Sequence, residues 1–270
     1  MQNHWILRSV INCHLILTGQ RIATLVIVLR DMTFYLGTHE PHWLRNMDVP
    51  LFVSRRRLER LVVPPVAFHR WALDSGGFTE LHKYGGGEMS AAEYARRVQM
   101  YVDETGKLDW AAPQDWMCEE TALKRTGLTV KEHQRLTVEN FIELRDLLGM
   151  VVIHVLQGWE RDEYLECVDL YDKSGVDLMS EPVVGVGSIC RRDANISINE
   201  VIWSLQPLKL HGFGVKGDCY KENKHILASA DSMAWSRGAR YRPPLEGCTH
   251  AHCQNCRRYA LRWREKLLVS

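Results

Sequence analysis

Short apolar runs rich in β-branched and aromatic residues alternate along the chain with longer stretches in which apolar positions recur every three or four residues. The first spacing is that of a buried strand and the second that of an amphipathic helix. Strand-like runs lie near Phe34–Gly37, Leu51–Val53, Arg70–Leu73, Leu108–Ala111, Val151–Leu156, Pro182–Val186, Leu208–Val215 and His225–Ala230. Helix starts are marked between them, because Ser90 with Glu93, Thr129 with Glu132 and Ser197 with Glu200 have capping-box spacing. Gly149 and Gly175 stand where a left-handed C-terminal residue is wanted, just before the fifth and sixth runs. Eight strand signals with helices between them predict an α/β fold, a (β/α)8 TIM barrel over residues 32–245. A short knuckle and a C-terminal helix over 246–270 complete it. No internal repeat longer than one βα unit and no low-complexity linker divides the chain.

Residues 1–31 fit this pattern poorly. Their apolar runs are broken by Gly19, Gln20 and Arg21, and each is too short to span a bilayer. Asn12 and His14 interrupt the stretch, and no small-residue cleavage site follows, so a secretory signal is not expected. We read 1–31 as an N-terminal extension, either not native to the protein or poorly ordered. No membrane partner is expected.

At 270 residues, with 46% apolar and 25% charged side chains, the chain can bury a full core. The formal charge is only +1, so a polyanionic partner has to be held by local basic patches. Arg55–Arg57, Arg191–Arg192, Arg237 with Arg240 and Arg242, and Arg257–Arg258 form such patches, although a solvated charged face is the plainer reading of the first and last. Of eight cysteines, Cys248, Cys253 and Cys256 cluster while the other five are scattered, which reads as a reducing compartment with one metal site. With His250 and His252 the cluster offers three thiolates and two imidazoles within nine residues. Tetrahedral zinc needs four such ligands, and a site with four protein ligands has no open position for catalysis.

In a barrel of this kind reactive groups project from the carboxyl ends of strands. Asp74-Ser75-Gly76-Gly77-Phe78 follows the third run, Gln114-Asp115 the fourth, Gln157-Gly158 the fifth, Gly185-Val186-Gly187 the sixth, Gly214-Val215-Lys216 the seventh and Asp231-Ser232 the eighth. Each has a plainer structural reading: Asp74 as a turn former, Asp115 and Asp231 as helix caps, Gln157 as a surface amide. Together on one rim, three carboxylates and a carboxamide suit purine recognition and glycosidic-bond chemistry.

These motifs resemble, in order, those of the tRNA-guanine transglycosylase superfamily, from about Phe34 to the C-terminus. The resemblance rests on Asp74 to Phe78, Asp115 in an Asp-x-x-x-Glu context, Gln157-Gly158, Gly185 to Gly187, Phe213-Gly214-Val215, Asp231 with Ser236-Arg237-Gly238 behind it, and the cysteine knuckle before Arg258-Tyr259. It implies that Asp231 attacks the sugar C1′ of a target guanosine to form a covalent glycosyl-enzyme, and that Asp74 manages the ring proton. It further implies that Asp115 accepts from the purine N1–H and exocyclic amine, and that Gln157, Gly185, Ser75 and Gly76 complete the base site. Lys216, Arg237 and Arg240 are the candidates for holding the nucleic-acid backbone. The family knuckle is C-x-C-x-x-C with a downstream histidine. Here His250 stands at the middle cysteine and no histidine follows Cys256, which points to Cys248, His250, Cys253 and Cys256 as structural zinc ligands, with His252 an alternative to His250.

The Asp74-to-Leu81 form, the Gly37-Thr38-His39-Glu40 start and the compact C-terminus look closest to the DpdA-like DNA-modifying branch of bacteria and their phages. That implies DNA and a free 7-deazaguanine base such as preQ0 as partners, in a bacterial or phage-infected cytoplasm, with a homodimer or helper proteins left open. Nothing in the residue chemistry separates deoxyribose from ribose, so a tRNA-modifying enzyme is the first alternative. A non-catalytic partner subunit with the same barrel is the second, and a metal-dependent barrel hydrolase the third.

Overall fold

The computed structural model describes residues 32–87, 89–190, 192 and 196–270, and, before them, only Cys13–His14 and Val26–Ile27. The chain forms two compact units, Met1–Asp31 and Met32–Ser270. In the first, Cys13–His14 pairs antiparallel with Val26–Ile27. The expectation that 1–31 is non-native or poorly ordered otherwise lies outside the described residues.

The second unit holds eight strands: β1 Thr33–Thr38, β2 Leu51–Ser54, β3 Trp71–Asp74, β4 Leu108–Ala111, β5 His154–Leu156, β6 Val184–Val186, β7 Leu210–Gly212 and β8 Ser229–Ser232. All pair in parallel in the order β4-β3-β2-β1-β8-β7-β6-β5. The two edge strands meet through a parallel bridge from Ala111 to Val152, with the Ile153 amide donating to the Ala111 carbonyl at 3.1 Å. The curled sheet thus closes on itself, as the count of eight predicts.

Helices α1 Arg55–Leu58, α2 Gly77–Tyr84, α3 Ala91–Glu104, α4 Glu120–Thr126, α5 Val130–Leu148, α6 Arg161–Lys173, α7 Ile196–Ser204, α8 Gly217–Asn223 and α9 Ala234–Ala239 return the chain between or after strands, and α10 Arg257–Leu268 ends it. The predicted caps hold at two of three places. Ser90 Oγ accepts from the Glu93 amide, and Thr129 with Glu132 forms a full capping box. Ser197 falls inside α7 instead. Among the described residues, no helix is long and apolar enough to cross a membrane.

Alternation along the strands builds two cores. Phe34, Leu36, Leu51, Val53, Trp71 and Leu73 face outward under the helices. Tyr35, Ala72, Trp110, Ile153 and Val183 face inward and, with Phe52 and Phe213, fill the barrel. At its amino-terminal end the Tyr35 hydroxyl and the Arg70 Nε both donate to Asp109, at 2.7 and 2.6 Å.

Two expectations are corrected. The apolar pattern predicts the eighth strand at His225–Ala230, but the strand runs over Ser229–Ser232. Ile226 and Leu227 give their amides to the Asn223 carbonyl in the turn that ends α8, so their apolar character serves the core and not a ladder. Arg55, read as part of a solvated face, is 2% exposed, because Glu59 and Glu80 partner its guanidinium inside the fold.

Candidate active site

Strand register sets the site. Ser54 is paired with Asp74, one inward step above the Phe52–Ala72 pair, and Asp231 is aligned with the inward-facing Tyr35. The same alternation that fills the barrel therefore turns Asp74 and Asp231 into its carboxyl-terminal mouth. There they line one cavity of about 350 Å3 together with Asp115 from the loop after β4. That volume lies at the lower end of the range for small-molecule sites, about 300–1,000 Å3. Phe52, Phe78, Met117, Phe213 and Met233 give it apolar walls, while His39, Glu119, Ser188 and Cys190 complete its polar rim.

Each carboxylate is held differently. Asp74 Oδ1 accepts from the Gly76 amide at 3.1 Å, so Asp74 both shapes the turn and faces the cavity. The turn is locked from behind: Arg55 donates through Nε to the Ser75 carbonyl at 2.9 Å and through its terminal nitrogens to Glu59 and Glu80. Gly76 has φ of +79°, and a Cβ there would meet Arg56 Cγ at 2.7 Å, so only glycine fits without movement. Burial raises the Asp74 carboxyl above the usual range, and the neighbouring Asp231 adds to the effect; the Gly76 amide, Ser54 and Arg55 oppose it.

Asp231 sits inside β8, 6% exposed, with Oδ1 accepting from the Gly214 amide at 2.9 Å. His211 Nε2 stands 3.4 Å from the same oxygen, within reach of electrostatic attraction but without a formed hydrogen bond. Its Nδ1 is 2.8 Å from Ser229 Oγ, and Trp110 and Phe213 enclose the ring at centroid distances of 4.6 and 4.7 Å.

Asp115 is pushed up to about 7, chiefly by burial and further by the charges of Asp74 and Glu119. Gln157, fully buried, donates from Nε2 to Asp115 Oδ2 and accepts on Oε1 from Ser188 Oγ at 2.7 Å. Ser188 Oγ in turn accepts from the Cys118 amide at 2.7 Å. The carboxamide is thereby fixed in one orientation, with its nitrogen toward the carboxylate.

Gly187 makes that arrangement possible, since a Cβ there would stand 2.2 Å from Gln157 Nε2. Gly187→Ala is expected to dislodge Gln157 and with it Asp115, lowering kcat/KM by about 100-fold, the scale of a 1 Å misplacement. Steady-state kinetics alongside a melting curve check this. A variant with wild-type kcat/KM would show that Gln157 does not set Asp115.

The predicted residues therefore divide. Asp74, Asp115 and Asp231 are brought together. Gln157 stands one layer behind Asp115, and Ser75, Gly76 and Gly185 are not among the described residues lining the cavity; Gly185 lies under Phe213, whose Cε2 would be 2.5 Å from a Cβ there. Lys216 is exposed at the start of α8, and Arg237 and Arg240 are exposed on and just after α9. Sequence reading passed over Ser54, His211 and Ser188. Ser188 directly follows the Gly185-Val186-Gly187 motif and could have been suspected from it.

Near the C-terminus, ligand atoms of Cys248, His250, Cys253 and Cys256 all lie within 4.8 Å of one another, a group that could hold a metal ion. Cys248 Sγ and Cys256 Sγ are 3.9 Å apart, and His250 Nε2 is 3.2 Å from Cys253 Sγ. A tetrahedron with metal–sulfur bonds of about 2.3 Å has sulfur corners about 3.8 Å apart, so the spacing fits four-coordination. Both His250 and His252 are exposed, but only His250 is part of the group. Ser236 Oγ donates to the Gln254 carbonyl at 2.7 Å and Arg257 to the Asn46 carbonyl at 2.8 Å, tying the knuckle to α9 and to the loop after β1.

No curated protein sequence matches the chain. One family model does, over residues 30–270, which include the whole barrel, all three cavity aspartates and the knuckle. The chain belongs to the DpdA family, DeoxyPurine in DNA protein A.

Proposed function

We propose that this chain replaces guanine in DNA by a 7-deazaguanine base through a covalent aspartyl intermediate. Membership of the DpdA family supports a DNA-guanine transglycosylase function in general. The observation that carries the finer reading is the convergence of Asp74, Asp115 and Asp231 on one cavity at the carboxyl ends of β3, β4 and β8.

In this reading an Asp231 oxygen attacks C1′ of an extruded deoxyguanosine while the bond from C1′ to the ring nitrogen breaks. The departing electron pair stays on guanine and takes the proton held by Asp74, whose raised affinity for it suits a general acid. The incoming base then gives its ring proton to Asp74 and attacks C1′, displacing the aspartyl ester with net retention, as in a retaining glycosidase. Asp115, when ionised, accepts both N1–H and the exocyclic amine, two charge-assisted bonds of about 1.5–3 kcal/mol each. Adenine would leave that carboxylate unpaired. Gln157 acts through Asp115 as a positioning residue. The target cannot react while stacked, so it enters the cavity flipped out of the helix.

Three thiolates and one imidazole favour zinc at the knuckle, where it would brace α9 and α10 without joining the chemistry.

The test is incorporation of labelled guanine into duplex DNA and, in parallel, into bulk tRNA. Label entering DNA supports the proposal, and label entering tRNA alone overturns the choice of polymer. Hydrolysis that is abolished by chelators and ignores free purine would overturn the chemistry.

The raised Asp115 carboxyl has two consequences. Recognition needs it ionised, so kcat/KM is expected to climb with pH through about 7, a limb absent from Asp115→Asn. Stability runs the other way. The folded carboxyl titrates near 7 and the unfolded one near 3.8, so between these values the folded chain binds more protons and stability falls as pH rises. Asp115→Asn should therefore melt higher than the wild type at pH 8 and equal to it near pH 4, while losing selection of guanine over adenine. Unchanged selection would remove the recognition role.

A further inference from the structure

From Arg237 to the C-terminus the chain carries eight Lys or Arg and two Glu, a net +6, so the preceding 236 residues carry −5 within the total of +1. A charge asymmetry of this kind is a mark of polyanion binding that a nearly neutral total conceals. It has a structural focus outside the catalytic cavity. Helix α10 sets Tyr259, Arg262, Trp263 and Lys266 at i, i+3, i+4 and i+7, a single face. Arg242, Pro243 and Leu245 form the facing wall, and the two enclose a groove of about 340 Å3. Its lining contains no carboxylate.

Arg242, Arg262 and Lys266 are exposed, and none of their side chains makes a hydrogen bond or ion pair among the described residues. Elsewhere exposed cations are commonly paired, as Lys124 is with Glu120 and Arg135 with Glu139. Tyr259 and Trp263 are half-buried, packed on the core by one side and lining the groove by the other. Cations without counterions interleaved with anchored aromatic rings are what a nucleic-acid strand requires: charge for its phosphates and a π-face for a base.

We propose that the groove between residues 242–245 and α10 is an accessory site for a single DNA strand outside the cavity, with phosphates on Arg242, Arg262 and Lys266 and a base against Tyr259 and Trp263. The inference rests on the reading that this chain handles DNA, and not on base exchange.

The experiment is fluorescence anisotropy of a labelled DNA duplex with a single-stranded overhang, titrated with the full chain across a range of salt concentrations. Each phosphate contact contributes about 0.7–0.9 to the slope of log affinity against log salt. The triple variant Arg242→Gln, Arg262→Gln, Lys266→Gln should lose about 2 from that slope and bind at least tenfold more weakly at low salt. Arg242→Lys with Arg262→Lys should keep the wild-type slope. Neutralising Lys124, Lys131 and Arg135 instead, which removes as much charge from α4 and α5, should also leave it unchanged. All these side chains are exposed, and a melting curve verifies the fold. The inference is overturned if the triple variant keeps wild-type slope and affinity, if the α4–α5 control loses as much, or if the wild type does not bind DNA. Because the readout needs no catalysis, a lost slope in a protein that exchanges no base would sink the proposed function and leave the groove standing.

Discussion

If Asp231 is the proposed nucleophile, Asp231→Asn is expected to abolish base exchange, lowering kcat by about 10^4-fold or more, as removal of a nucleophile does in other covalent enzymes. The substitution is nearly isosteric, and the Asn oxygen still accepts from the Gly214 amide that now meets Asp231 at 2.9 Å. Fold and metal content should therefore be unchanged, and melting within about 2 °C of wild type would be in line with a substitution that keeps its buried hydrogen bond. What would be lost is the charge proposed to attack C1′, because a carboxamide is a poor nucleophile and cannot form the ester. Exchange persisting near the wild-type rate would move the nucleophile elsewhere, and Asp74 is the only other carboxylate described here that faces the cavity from a strand.

Loss of the metal proposed for the knuckle should have the second largest effect, on stability and not on chemistry. Cys253 is fully buried and its sulfur already accepts from the Leu245 amide at 3.3 Å. Emptied of metal, the three sulfurs would have no common partner, and the knuckle would release the start of α10 at Cys256. Leu267 and Ala260 bury that helix in the main core, so its loosening reaches the barrel. Structural zinc contributes about 10–16 kcal/mol in isolated zinc-finger peptides, where binding and folding are one event. A barrel with its own core loses only part of that. We expect chelation under denaturing conditions, or Cys253→Ser, to lower the melting temperature by roughly 10 °C, since each kcal/mol is worth about 2–4 °C at this size. A Cys253→Ser protein that melts with the wild type would show that the cluster holds no structural metal.

Much of the fold was legible because its signals are local. The first seven strands overlap the β-branched and aromatic runs that predict them, and the cap at Ser90 and the capping box at Thr129 mark helix starts within three residues of sequence. The eighth strand was misplaced because Ile226 and Leu227 look like strand residues, whereas a turn closing on Asn223 sets their backbone. The three aspartates were legible for a similar reason, since each lies in or just after a strand end. What holds them was not. The Gln157 carboxamide is oriented by Ser188 and Cys118, 31 and 39 positions away, and His211 reaches Asp231 across 20. Gln157 could thus be named as a site residue, but its place behind Asp115 depends on packing that no spacing encodes. Arg55 shows the same limit, for three adjacent arginines look solvated until Glu59 and Glu80 are seen to enclose the first. In the knuckle every ligand lies within nine residues, and only the choice of His250 over His252 needed the path of the chain.

The central claim is that an aspartyl ester on β8 holds the sugar between departure of one base and arrival of the next. Mass spectrometry of peptides from enzyme quenched in acid during turnover on a DNA oligonucleotide tests it most directly. A nucleotide adduct on the peptide containing Asp231, absent from Asp231→Asn and discharged by adding free base, is the predicted result. Exchange that proceeds with the adduct on a different residue, or in a single displacement that inverts C1′, would contradict it.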